Sequence, residues 1–189
     1  MNEGIFDVGQ APKLDTPGRI KELRPRELLK NIAGVKAGFT GVDIGSGTGV
    51  FALPMAELAG KKGKVYAVDN SAAMLDHLRA KNPPANLVPV LAEATLTGLG
   101  DGIADVCCLA FILHEIKEPG KLIAEAGRLL KPGGRLVIVE WRADVASFGP
   151  PPHRRISREA AAKLLGEAGL TFEGYRDWTD NHYVATGVK

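Results

Sequence analysis

Cysteine is scarce in this sequence, which excludes one common way of holding a small fold together. Only two cysteines, Cys107 and Cys108, occur among the 189 residues, and they are adjacent. Neighbouring side chains on a strand point to opposite faces, so we expect no disulfide between them. A disulfide framework and a zinc cluster of cysteines alone are therefore excluded, and we predict no metal site.

The sequence also has no long apolar run and no large excess of charge of one sign. Its longest apolar run, residues 106–113, is far too short to cross a bilayer. The 24 basic and 22 acidic residues leave a net charge of +2, which gives no argument for binding to nucleic acid or to a membrane. Residues 1–10 lack a basic region followed by an apolar stretch, so we expect no secretory signal and a cytoplasmic location.

Apolar runs and amphipathic stretches alternate regularly along most of the chain. This alternation is typical of an α/β fold in which helices cover both faces of a parallel sheet. The last two predicted strands are joined by a turn at residues 177–180 without a helix, so the final strand is expected to run antiparallel. The strands are predicted at residues 41–44, 64–68, 86–92, 103–111, 135–141, 170–176 and 182–188.

The first 35 residues do not follow this alternation. Residues 17–31 have the apolar spacing of a helix, and we expect them to lie across the carboxyl edge of the sheet. The sequence therefore predicts one compact domain, in which residues 1–35 form a helical segment over the ligand edge and residues 36–189 form the α/β unit.

A glycine-rich loop follows the first predicted strand, where open α/β sheets bind ligands. Residues 45–49 read Gly-Ser-Gly-Thr-Gly, and Asp69 ends the second strand about 20 residues later, where a carboxylate can bind ribose hydroxyls. The third glycine comes one position too early for a dinucleotide fingerprint. Asp43, two residues before the loop, suits a ligand with an ammonium group better than a pyrophosphate. A nicotinamide-dependent oxidoreductase is therefore the less favoured alternative.

Three segments together carry a resemblance to a known family. Residues 42–49 (VDIGSGTG), 65–69 (VYAVD) and 130–136 (LKPGGRL) resemble the class I S-adenosylmethionine-dependent methyltransferases, most closely those of ubiquinone and menaquinone biosynthesis. The resemblance covers about residues 40–141. It implies a Rossmann-like sheet of seven strands in the order 3-2-1-4-5-7-6 with strand 7 antiparallel, S-adenosylmethionine as cofactor, and transfer of its methyl group to a small-molecule acceptor.

The resemblance also implies roles for individual residues. Asp43 would hold the ammonium group of the cofactor, Asp69 the ribose, and Met74 the adenine ring, while Glu93 stands where the family usually has an aspartate. The glycines of the loop would line the methionine part of the cofactor. The implied cofactor-binding residues are Asp43, Gly45, Ser46, Gly47, Thr48, Gly49, Asp69, Asn70, Met74, Glu93, Ala94, Ala110 and Phe111.

Candidate residues for catalysis and acceptor binding follow the fourth, fifth and last strands. An unperturbed histidine has a pKa near 6.5, which suits a base at neutral pH. His114 is therefore predicted either to act as a general base or to bond the backbone of its own turn. The candidate acceptor-binding residues are Glu140, Trp141, Arg155 and Tyr183. A non-catalytic module that binds the cofactor remains an alternative, and no oligomeric state is predicted.

Overall fold

Seven strands of this chain form one sheet. The computed structural model describes residue 9, residues 11–145 and residues 149–189, so the stretch used to assess a secretory signal lies, except for Gly9, outside the described residues. The strands are β1 Thr40–Ile44, β2 Lys64–Asp69, β3 Leu87–Leu91, β4 Ala104–Ala110, β5 Leu130–Trp141, β6 Thr171–Asp177 and β7 His182–Val188. The helices are α1 Ala11–Leu14, α2 Pro17–Leu23, α3 Pro25–Asn31, α4 Ala52–Ala59, α5 Ala72–Ala80, α6 Pro119–Leu129 and α7 Arg158–Glu167.

The sheet has the strand order β3-β2-β1-β4-β5-β7-β6, which is the order that the resemblance implied. Strands β1 to β5 pair in parallel, whereas β7 runs antiparallel to both β5 and β6. Parallel neighbours need crossover helices, and α4, α5 and α6 provide them, while β6 and β7 are joined by a short turn. The expected α/β fold with an antiparallel last strand is confirmed.

Each face of the sheet buries its own apolar cluster because successive side chains of a strand alternate between faces. On β4, Val106 and Cys108 belong to one cluster and Cys107 and Leu109 to the other. Helices α3, α4 and α5 cover the first cluster, and α6 and α7 cover the second. Both cysteines are buried and unpaired, as their positions on one strand required. No helix in the described ranges is both long and apolar enough to span a membrane.

The helix predicted over residues 17–31 is two helices with a break at Arg24. Arg24 has a left-handed backbone with φ of 46°, and Pro25 follows it. A proline disfavours helical geometry in the residue before it and has no N–H for a helical hydrogen bond, which explains the break. The Arg24 side chain holds the bend in place, since its Nη2 donates to the carbonyl of Trp178 over 2.8 Å and its guanidinium lies 4.2 Å from that ring.

Strand β5 begins at Leu130, five residues earlier than predicted. Leu130 pairs with Ala104 at the start of β4, and the pairing then shifts register so that Arg135 is the partner of Val106. A Cβ at Gly134 would lie 2.9 Å from the Lys131 carbonyl and 3.0 Å from that of Ala104. The glycine therefore permits the close backbone approach that extends this strand.

Candidate active site

A cavity of about 960 Å³ opens where the carboxyl ends of the parallel strands meet. The chain segments that follow β1, β2, β3, β4 and β5 all contribute to its wall, as expected for an open α/β sheet. Most of the residues singled out from the sequence lie on it. They are Asp43, Gly45, Ser46, Gly47, Thr48, Asp69, Asn70, Met74, Glu93, Ala94, Ala110, Phe111, His114 and Trp141.

The glycine loop is fastened to the end of β2. The N–H groups of Gly45 and Ser46 donate to the Val68 carbonyl over 2.8 and 2.9 Å. Gly45 has φ of +75°, and a Cβ there would lie 2.3 Å from Cδ1 of Ile112. Only glycine fits this bend without strain and without displacing Ile112, so the loop can pass close to the cavity.

Asp69 joins the glycine loop to the start of α5. Its Oδ2 accepts the Gly47 N–H over 2.8 Å, and its Oδ1 accepts the Ser71 N–H over 2.9 Å. Burial raises the pKa of this carboxyl, and the two hydrogen bonds oppose the rise. Each carboxylate oxygen has a further lone pair, so Asp69 can fix the loop and still accept hydroxyl groups from a ligand.

Asp43 is a buried carboxyl group with one atom unsatisfied. Its side chain is on the cavity wall, the residue is 1% exposed, and Oδ1 has no hydrogen-bond partner among the described residues. Burial raises its pKa to about 7; the N–H of Ala52 opposes this rise, and the charge of Asp69 adds to it. An unpaired carboxylate in such a place is costly, and a cationic ligand group beside Oδ1 removes that cost. The chemistry of this position therefore fits an ammonium group.

The far end of the cavity combines an apolar side chain with polar ones. Met74 is 4% exposed and lies in the first turn of α5, where the Ser71 hydroxyl accepts its N–H over 3.3 Å. On the wall of the same cavity, the amide nitrogen of Asn70 donates to Glu93 Oε2 over 3.4 Å. A flat heteroaromatic ring with an amino group matches this pairing of a thioether with a carboxylate.

His114 forms a buried pair with Glu140 at the ends of β4 and β5. Nδ1 of the ring lies 2.9 Å from Glu140 Oε2 and 3.1 Å from Oε1, and Glu140 is completely buried. Because the carboxylate only accepts, Nδ1 donates, and Nε2 is left as the basic nitrogen. The carboxylate also accepts the N–H groups of His114 and Trp141 over 3.3 and 3.1 Å, which fixes its orientation.

The pKa of His114 is the result of two opposing effects. Burial of the ring lowers it, but the hydrogen bond to Glu140 and the negative charges of Glu140 and Glu115 outweigh burial and raise it above its ordinary value. Glu115 Oε1 lies 3.8 Å from Nε2 of the ring, and its own pKa is raised by burial. The pair has the arrangement of a general base held by a carboxylate.

Three aromatic rings at the ends of β4, β5 and β7 form a wall of the same cavity. Trp141 and His182 are neighbours across the β5–β7 ladder, with ring centroids 4.4 Å apart, and Phe111 lies 5.0 Å from His182 and 5.8 Å from Trp141. Phe111 has a left-handed backbone with φ of +60°, which turns the chain out of β4. All three residues border the cavity.

Residues from the first helical segment border the cavity as well. Arg19 lies with its guanidinium 5.2 Å from the Phe111 ring centroid, and Glu22 is also on the wall. Asp15 anchors the segment, since its Oδ1 is 2.9 Å from the Thr48 hydroxyl and 2.6 Å from Nζ of Lys81. Arg19 and Glu22 were not identified from the sequence, because the break at Arg24 hides how α2 is oriented.

Two of the candidate acceptor-binding residues were placed wrongly by the sequence. Tyr183 is fully buried on the face of β7 opposite to His182, and its hydroxyl donates to the Ile156 carbonyl over 2.9 Å. Arg155 is 6% exposed and donates to the carbonyls of Arg142, Val145 and Pro150, each over 2.8 Å. Neither residue borders the cavity; Arg155 instead holds the loop that does.

Two further candidates also lie off the cavity wall. Glu140 is completely buried and does not border the cavity, and its carboxylate is bonded to the His114 ring and to the backbone of His114 and Trp141 instead of facing an acceptor. Gly49 closes the glycine loop, with its N–H donating to the Ser46 carbonyl over 2.8 Å. A Cβ at Gly49 would lie 2.4 Å from Cδ1 of Leu78, so this glycine serves the packing of α5 rather than the cavity.

Comparisons with known proteins agree with this geometry. The chain is 32% identical over 144 residues to the demethylmenaquinone methyltransferase of Renibacterium salmoninarum, covering 74% of this chain and 58% of that protein. It is 33% identical over 164 residues to the ubiquinone/menaquinone biosynthesis C-methyltransferase UbiE of Shewanella piezotolerans, covering 83% of this chain and 62% of that one. The chain thus spans about three fifths of the length of these two relatives.

Solved structures of similar size also match. A SAM-dependent methyltransferase from Aquifex aeolicus superposes with a TM-score of 0.89 at 29% identity, covering 97% of this chain and 98% of that chain. The S-adenosylmethionine-dependent methyltransferase of Mesorhizobium loti has a TM-score of 0.70 at 17% identity, covering 87% of this chain and 98% of that one, and shows a shared fold.

The family assignment rests on a segment that contributes much of the cavity wall. The family model of the methyltransferase domain matches residues 42–138, about half of the chain, and this stretch includes the glycine loop, Asp69 and His114. The resemblance read from the three sequence segments is thereby confirmed, and the chain belongs to the methyltransferase-domain family.

Proposed function

We propose that this chain binds S-adenosylmethionine and transfers its methyl group to a small-molecule acceptor. The observation that carries the proposal is the unsatisfied, buried Oδ1 of Asp43 on the same cavity wall as Asp69. One carboxylate suits an ammonium group and the other suits a ribose, and the glycine loop lies between them in sequence. When bound, S-adenosylmethionine supplies a methyl group activated by a positively charged sulfur.

The pair of His114 and Glu140 supplies the acid–base chemistry that the chain adds to the methyl donor. Glu140 holds Nδ1–H of His114, so Nε2 is free to accept the proton that the acceptor loses when it is methylated. The glycine loop and Asp69 align the donor, and the ring wall of Phe111, Trp141 and His182 receives the acceptor. Alignment of two reactants in a closed site is itself a large part of such a rate enhancement.

The acceptor we propose is a planar, quinone-type ring. One relative is named as a demethylmenaquinone methyltransferase and another as a ubiquinone/menaquinone biosynthesis C-methyltransferase. The aromatic wall and the size of the cavity, about 960 Å³, suit such a ring beside the cofactor. His114 borders the same cavity, and in this proposal it takes a proton from a hydroxyl or ring carbon of the acceptor.

We further propose that residues 1–35 act as a cover over this site in a reducing, cytoplasmic setting. Leu14, Thr16 and Arg19 border the cavity, and Asp15 fastens the segment to Thr48 and Lys81. Both cysteines of the chain are buried thiols, which suits a compartment that keeps thiols reduced.

Binding of S-adenosylhomocysteine, measured by calorimetry, tests the proposal. We expect the unaltered protein to bind, and Asp69→Ala to bind about 10–100-fold more weakly, because a charge-assisted partner of the ribose is lost. Asp76→Ala is the matched control, since Asp76 is an exposed residue of α5 that pairs only with Arg79 in the described structure. Absence of binding at high micromolar ligand rejects the function, and an unchanged affinity of Asp69→Ala removes Asp69 from the site.

A further inference from the structure

His182 differs from His114 in what surrounds its ring. Thr179 Oγ1 accepts the backbone N–H groups of Asn181 and His182 over 3.2 and 3.1 Å, and it lies 2.8 Å from Nδ1 of His182. A hydroxyl oxygen has two lone pairs and one hydrogen. Because both lone pairs already receive N–H groups, the hydroxyl hydrogen is the group that meets Nδ1.

This arrangement fixes the position of the ring proton. Nδ1 must accept from Thr179, so the single proton of the neutral ring is on Nε2. Glu22 Oε1 is 3.6 Å from Nδ1, beyond hydrogen-bond distance, and it lies 3.4 Å from the Asn181 amide nitrogen instead. Burial, followed by the positive charges of Arg19 and Arg155, lowers the pKa of His182 to about 4, so the ring is neutral at pH 7.

Nε2 is the ring nitrogen that remains for a ligand, because Nδ1 is occupied by the Thr179 hydroxyl. His182 borders the cavity, and Nε2 has no hydrogen-bond partner among the described residues. The ring cannot turn freely, because it packs edge to face against Phe111 and Trp141. A neutral donor is thus held at one point of an otherwise aromatic wall.

We propose that His182 is an acceptor-binding residue that donates a hydrogen bond from Nε2 to an oxygen atom of the methyl acceptor, and that Thr179 is the positioning residue that fixes this tautomer. The acceptor class is a planar ring bearing an oxygen substituent. His114 and His182 then divide the work, with one ring taking a proton and the other donating a hydrogen bond without releasing its proton. The inference rests on the proposed function for the identity of the site.

The tautomer is tested first, by ¹⁵N NMR of the histidine rings of the protein alone. We expect His182 to carry its proton on Nε2 with Nδ1 unprotonated, and Thr179→Val to give a mixture of the two tautomers. Thr171→Val on the exposed edge strand is the control and leaves the spectrum of His182 unchanged. A proton on Nδ1 of His182, or no change in Thr179→Val, overturns the role of Thr179.

Ligand discrimination is tested with two probes that differ by one oxygen atom. In the presence of S-adenosylhomocysteine, 1-naphthol is expected to bind about three- to tenfold more tightly than naphthalene, as followed by quenching of tryptophan emission. His182→Phe keeps the aromatic packing and removes the donor, so the preference should disappear, whereas His77→Phe on the exposed face of α5 should retain it.

The outcomes of this second test are decisive for the inference. Equal binding of the two probes by the unaltered protein, or a preference that survives in His182→Phe, overturns the role of His182. Failure of the proposed function shows itself separately, as loss of S-adenosylhomocysteine binding in the unaltered protein. The NMR measurement needs neither cofactor nor acceptor and is independent of both.

Discussion

Asp43→Asn is expected to weaken binding of S-adenosylhomocysteine by the order of 10²–10³-fold, because it leaves a buried ammonium group without its opposite charge. The amide has nearly the shape of the carboxyl group and can still accept the Ala52 N–H, so the glycine loop should keep its conformation. Calorimetry at pH 8 measures the change, since the pKa of Asp43 in the free protein is raised to about 7 and the group is then ionised.

Adenosine, which lacks the amino-acid part of the cofactor, provides the matched control ligand. Asp43→Asn should leave the affinity for adenosine unchanged, whereas Asp69→Ala should weaken binding of adenosine and of S-adenosylhomocysteine alike. If Asp43→Asn weakens both ligands equally, its carboxylate does not hold the ammonium group.

The same substitution should change how the stability of the free protein depends on pH. The pKa of Asp43 is raised from 3.8 in the unfolded chain to about 7 by burial, so the folded protein binds the proton more tightly. The tighter binding of the proton adds roughly 4 kcal/mol to the free energy of unfolding. This stabilisation is fully present below about pH 4 and is lost as the pH rises to about 7.

Thermal melting of the parent and of Asp43→Asn between pH 4 and pH 8 measures this loss. The two proteins should have similar stability near pH 4, and the variant should be the more stable one at pH 8. The difference between the two proteins reports Asp43 together with Asp69, whose charge is coupled to it, while groups distant from Asp43 titrate equally in both. A difference that does not grow with pH contradicts the assignment of an ionised, unpaired carboxylate.

The part of the cavity that we assign to the cofactor was predictable because its residues lie close together in sequence. A strand, its glycine loop and the acid at the end of the next strand follow from local patterns, and the sheet brings the strand ends together. Asp43, Gly45 and Asp69 therefore lie where their spacing placed them.

The part of the cavity that we assign to the acceptor was harder to predict. The direction of its side chains depends on the register between β7 and β5, which no local sequence pattern shows. The alternation of β7 shows that His182 and Tyr183 face opposite sides, but only pairing with β5 decides which side meets the cavity. Trp141 pairs with His182 and Glu140 pairs with Tyr183, so the two rings share one wall and Tyr183 enters the core. Arg155 is held by the carbonyls of a loop, which no sequence pattern indicates.

Replacement of His114 by asparagine is expected to lower kcat by about 10²–10⁴-fold, the range that a positioned general base contributes. Affinity for S-adenosylhomocysteine should change little, because the polar contacts of the His114 ring are to Glu140 and Glu115 rather than to Asp43 or Asp69. Single-turnover transfer from labelled S-adenosylmethionine to a demethylated naphthoquinol measures the effect. An unaltered rate shows that the acceptor loses its proton to water, and His114 then has no role as a base.

Glu140→Gln tests the carboxylate that holds the His114 ring. We expect it to lower kcat nearly as much as His114→Asn does. The glutamine amide can donate to Nδ1 of His114, which moves the ring proton to Nε2 and removes the basic nitrogen from the site. The ¹⁵N spectrum of His114 should show this change of tautomer, which a loss of folding alone would not produce. Melting temperature and S-adenosylhomocysteine affinity identify any general damage.

The double variant decides whether the two residues act as one unit. If Glu140 acts only through His114, Glu140→Gln adds almost nothing to the loss already caused by His114→Asn. If the two losses multiply, Glu140 has a separate function, such as holding the backbone N–H groups of His114 and Trp141 that shape the end of β5. Because the Glu140 carboxylate is fully buried and directed at Nδ1, we expect the non-additive result.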